Sequence, residues 1–75
     1  MAIEVFIGYP PSRESPQAEF CIRHHGFVDI PAVLYRADGE LMIEIFSRAG
    51  GDPEWTLSLS DFVDAIERGT AALSR

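Results

Sequence analysis

Cys21, His24 and His25 are the residues whose types could do chemistry, a thiol closely followed by two imidazoles. A zinc site wants about four ligands converging tetrahedrally, usually as C-x2-C or H-x3-H pairs. Neither spacing occurs here, and neighbouring histidines point to opposite faces of a strand. Cys21 as a nucleophile would need a base and an oxyanion hole, and no pattern supplies them. Ser12, Ser15, Ser58 and Ser60 lie in no nucleophile-elbow sequence, and Gly50-Gly51 lacks the downstream Lys-Ser/Thr of a phosphate loop. The expectation is a chain with no catalytic residue, no metal and no cofactor.

Charge points elsewhere. The 75 residues carry a net charge of −6 and all six basic residues are Arg. That sign repels nucleic acid and anionic membranes and attracts basic proteins. The acidic groups fall into three sets: Asp38, Glu40 and Glu44; Asp52 and Glu54; and Asp61, Asp64 and Glu67. They serve either to keep the protein soluble or as a docking surface for a basic partner, with Tyr9, Met42, Phe46 or Trp55 as anchors. The residues assigned to partner binding are Glu40, Met42, Glu44, Phe46, Asp61 and Asp64.

The stretch that must position them is AVLYRADGELMIEIF, residues 32–46. Asp38-Gly39 between two apolar runs predicts a β-hairpin, since Gly accepts the positive φ of a tight reversal. Two registers compete. A two-residue loop sets Leu34 opposite Ile43; a three-residue loop sets Arg36 opposite Glu40. The second sorts Val33, Tyr35, Leu41, Ile43 and Ile45 to one face and Arg36, Glu40, Met42 and Glu44 to the other, and is the expected one.

Alternation of Ile3, Val5 and Ile7 predicts a strand over 2–7. The following GYPPSRESP is a proline-rich loop, either a connector or a binding loop using Tyr9 and Arg13. Residues 16–26 are open to two readings: a helix capped by Ser15 and Gly26, or, favoured by the alternation of Ala18, Phe20 and Ile22, a strand over 18–24. Pro31 predicts an irregularity near residues 29–31. SRAGGDPE reads as a turn, and Trp55, Leu57 and Leu59 as a last strand. A helix follows, with Ser60 as its N-cap, a stripe of Leu59, Phe62, Val63, Ile66 and Leu73, an Asp64–Arg68 pair, and a last turn weakened by Gly69. The expected fold is a single α+β domain over residues 1–75: an antiparallel meander of four or five strands with the C-terminal helix packed on one face.

The 47% hydrophobic content excludes a disordered chain, and no apolar run is long enough to span a bilayer. The start MAIEVFIG contains no basic leader, and the single Cys21 agrees with a reducing compartment, so a cytoplasmic location is expected. The absence of Lys and Asn suggests a GC-rich bacterial source. A domain this small buries roughly 60–65% of its unfolded surface, so a partner or a second copy, as in a homodimer, is a reasonable expectation.

The order of elements, the meander ending in WTLSLSDFVDAIERG and the acidic face resemble the small immunity proteins of bacterial toxin systems, across residues 27–73. The resemblance implies a protein that binds and neutralises a cognate toxin, often a basic nuclease, by covering its active site or an exosite. It transfers no site residues. The alternative is a self-associating structural module of a larger assembly, held through an open sheet edge with Met42 and Phe46 in the contact.

Overall fold

The computed structural model describes residues 3–24, 26–46 and 56–74. Four strands, β1 (Glu4–Gly8), β2 (Gln17–His24), β3 (Phe27–Ala37) and β4 (Glu40–Ile45), form an antiparallel meander in the order β1-β2-β3-β4. One helix, α1 (Leu59–Leu73), packs on one face, giving the expected α+β fold. Residues 17–24 are therefore strand, and the helix that Ser15 and Gly26 would have capped does not form. The β-branched and aromatic run from Phe20 outweighs the capping signals at its ends.

Strand alternation sends Val5, Ala18, Phe20, Ile22, Ala32 and Leu34 toward α1, where they pack with Ile3, Phe62, Ala65, Ile66 and Leu73. Phe20 lies at the centre, fully buried and edge-on to Phe62 with ring centroids 5.8 Å apart. The expected irregularity is a bulge: Phe20 pairs with Ala32 and Ile22 with Asp29, so Ile30 and Pro31 together face Cys21. Pro31 has no N–H to donate, yet it sits buried inside the sheet; its carbonyl still accepts from Phe46 N–H at 2.8 Å.

The hairpin corrects the expected register. Ala37 pairs with Glu40 and Leu34 with Ile43, closing a two-residue loop in which Asp38 and Gly39 have φ of 53° and 79°. Two positive φ values are the type I′ geometry, whose twist matches that of the strands. The three-residue register rests on sorting apolar from charged residues by burial. That criterion has no force on β4, where every residue is exposed. It also fails on β3, where Ala32 and Leu34 are buried on the helix side and Val33 on the other. Arg36 accordingly reaches toward Ser74 at the end of α1 (3.4 Å) instead of Glu40.

The helix also differs in detail. Ser58, with extended ψ of 127°, is the N-cap: its Oγ accepts from Asp61 N–H at 3.4 Å, and Ser60 lies inside the first turn. Residues 56–58 form no strand, and Leu59 belongs to the helix and is exposed, so the described sheet has four strands; Trp55 and the turn over 47–55 lie outside the described residues. The buried helix stripe is Phe62, Ala65, Ile66, Gly69 and Leu73, with Val63 exposed. The Asp64–Arg68 pair forms at 2.8 Å, and Arg68 also donates to the Ile3 carbonyl at 2.7 Å, fastening α1 to the start of the sheet. Gly69 does not end the helix. Here α1 lies close against the sheet, since a Cβ at Gly69 would lie 3.2 Å from Ala18 Cβ and Leu34 Cδ2 and 3.3 Å from Phe20 Cε1.

Gly69→Leu should therefore destabilise by about 1–3 kcal/mol through overpacking, although an exposed helix glycine would gain from the same change. Ser58→Ala should cost about 1 kcal/mol, and Ser60→Ala less than about 0.5 kcal/mol. Urea denaturation of the variants checks both.

Candidate protein interface

The two faces of the sheet are covered differently. On the face away from α1, the segment between β1 and β2 turns back where Arg13 N–H donates to the Pro10 carbonyl at 3.2 Å. Arg13 then extends over the sheet with its guanidinium carbon 3.8 Å from the Tyr35 ring centroid. The guanidinium donates to Gln17 Oε1 and, at 3.1 Å, to Glu44 Oε1. Gln17, almost fully buried, has its polar groups satisfied on both sides, because its Nε2 donates to Glu19 Oε2 at 3.0 Å. Gly8 lies beneath the Glu19 carboxylate, which a Cβ there would push aside from Gln17. Arg13 is thus a fastening for the loop, stacked and forked as Lys cannot be. Tyr9, its companion in the binding-loop reading, points to solvent and is 80% exposed.

The residues assigned to partner binding do not form one surface. Glu40, Met42 and Glu44 alternate onto the face of β4 away from α1, where Met42 pairs across with Tyr35 and Glu44 with Val33. Phe46 follows the strand and is 40% exposed. Asp61 and Asp64 belong to α1, in the layer on the opposite side of the sheet. Glu44 is engaged by Arg13 and Asp64 by Arg68, so these two carboxylates already hold a cation.

Sequence reasoning placed Leu41, Ile43 and Ile45 on a buried face, and the structure leaves them open. They face the α1 side of the sheet, but the helix contacts only β1, β2 and β3. The result is a strand exposed along its whole length, with Ile45 67% accessible. Beside it runs an apolar groove of about 250 Å³ lined by Pro31, Ala32, Ile45, Leu57, Leu59 and Phe62. Among the described residues β4 is also a sheet edge. Because Phe46 N–H bonds the Pro31 carbonyl and antiparallel pairs alternate, Glu40, Met42 and Glu44 direct their backbone groups to β3, and Leu41, Ile43 and Ile45 direct theirs outward. The available signal was the Asp-Gly dipeptide itself, whose preferred two-residue loop sets this phase.

Cys21 is buried on β2, and burial, followed by the nearby Glu19 and Glu4 carboxylates, pushes its thiol above the ordinary cysteine value. Among the described residues no three metal-binding side chains cluster; His25 and the side chain of His24 lie outside them. No described helix is long and apolar enough to cross a membrane. Comparison of the chain with known protein families, curated proteins and solved structures finds no match.

Arg13→Ala should cost about 1–2 kcal/mol, since it removes the stacking and leaves the buried Gln17 carbonyl without its donor; thermal unfolding with limited proteolysis of the loop over residues 9–16 reads it. Native Cys21 should label with a thiol reagent at pH 8 far more slowly than the urea-unfolded chain, because its thiolate is disfavoured and covered.

Proposed function

We propose that this chain is a non-catalytic protein-binding domain that engages its partner through β4 and the apolar groove beside it. The observation that carries the reading is the exposure of the whole strand, with Leu41, Ile43 and Ile45 directing outward backbone groups that no described residue pairs. An open apolar edge is a liability that proteins ordinarily blunt, and one that recurs where an extended segment is received as an added strand. At the other edge strand, β1, α1 packs on the sheet face and Arg68 takes the carbonyl of Ile3 just before the strand.

The net charge of −6 supports an immunity-type inhibitor in which the foreign partner is a basic toxin or nuclease, drawn in electrostatically and held by apolar contacts. Of the six residues expected at the contact, Glu40, Met42 and Glu44 belong to this strand and Phe46 follows it directly. Asp61 and Asp64, on α1, lie outside this contact.

A photo-crosslinking residue placed at Leu41 should capture a partner from the native host, whereas one at Glu67 on the exposed side of α1 should not. Capture of a foreign basic protein should weaken as salt is raised from about 50 to 500 mM. Capture from Glu67 alone, or from neither position, would contradict the assignment of β4 as the contact.

A further inference from the structure

We infer that β4 pairs antiparallel with β4 of a second copy of this chain, with Ile43 on the two-fold axis. This rests on β4 being a contact surface and names one occupant for it. The backbone phase selects the register. Only Leu41, Ile43 and Ile45 direct N–H and C=O groups outward, so these three must bond among themselves, with the axis on one of them or on Met42 or Glu44 between them. An axis on Met42 sets Ile45 against the turn at Gly39, and one on Glu44 sets two carboxylates face to face.

Ile43 on the axis uses all three. Ile43 faces its own counterpart, Leu41 faces Ile45 of the second copy and Ile45 faces Leu41, each pair exchanging both N–H···O bonds. On the side toward α1 these are wholly apolar cross-strand pairs, continuous with the groove that ends at Ile45. On the other side Met42 falls opposite Glu44, and Glu40 opposite Phe46. No carboxylate meets a carboxylate. Moving the axis to Leu41 would set Glu44 against Asp38 and shorten the ladder, while moving it to Ile45 would carry the pairing beyond the end of β4 at Ile45. The two four-stranded sheets become one continuous sheet with both helices on the same face, and the open edge disappears.

A second copy and a basic foreign partner respond oppositely to salt. Two chains that each carry −6 repel at long range, so the dimer should hold or tighten between about 50 and 500 mM salt. Analytical ultracentrifugation over a concentration series reads this directly. The dimer should be present at micromolar to submillimolar protein. Ile43→Arg, which brings two like charges together at the axis, should weaken it on the order of a hundredfold with the circular dichroism unchanged. Met42→Lys, which sets a cation against Glu44 of the second copy, should tighten it. As a second readout, Ile43→Cys should form an intermolecular disulfide on mild oxidation, and Tyr9→Cys at the opposite edge should not.

A chain that stays monomeric throughout the series, or a dimer indifferent to Ile43→Arg and uncrosslinked by Ile43→Cys, would overturn the inference. If the chain is monomeric but Leu41 still captures a foreign protein, only the second copy is excluded and the contact strand stands. Failure of both experiments removes the contact strand as well.

Discussion

One helix cannot cover four strands. With its side chains a helix is about 10–12 Å across, and neighbouring strands lie about 4.8 Å apart, so a single helix shields roughly three. Here α1 is fixed over β1, β2 and β3: Gly69 lets it settle against Ala18, Phe20 and Leu34, and Arg68 ties it to the Ile3 carbonyl. β4 is what is left over. Its exposure follows from where α1 is anchored, and the proposed contact surface follows from that exposure.

The same economy explains the face away from α1. A chain of this length has no second helix among its described residues, yet Val33 and Gln17 on that face are buried. The loop after β1 supplies the cover, with Arg13 stacked on Tyr35 and joined to Gln17 and Glu44. The stem of an arginine can lie on apolar surface while its head satisfies buried polar groups. In an acidic protein this cation is thereby spent on internal structure, which leaves the outward field negative. β3 is covered on both faces only over its middle, where residues 31–34 are buried.

Much of this was legible in the residues. Alternation of Ile3, Val5 and Ile7 and of Ala18, Phe20 and Ile22 marked two strands, Asp38-Gly39 marked the reversal, and Pro31 marked the bulge. Burial points to the wrong register because it decides nothing on a strand exposed along both faces. Turn chemistry, which wanted positive φ at both Asp38 and Gly39, was the stronger term. Gly69 read as a weak point because a sequence shows the lost helix propensity and hides the close approach that requires it. The acidic residues were read as one surface from their number, but β4 and α1 lie in different layers. The openness of Leu41, Ile43 and Ile45 depends on the placement of α1, which no local pattern encodes.

Amide hydrogen exchange on the residues of β4, followed as the protein is diluted, tests the central claim most directly. Met42, Glu44 and Phe46 bond to β3 and should be protected at every concentration. Leu41, Ile43 and Ile45 should exchange fast in dilute protein and become protected, in step with one another, as concentration rises. Protection of all six at every dilution would show that the edge is already covered within one chain, and would contradict an account that makes it the surface this protein binds with.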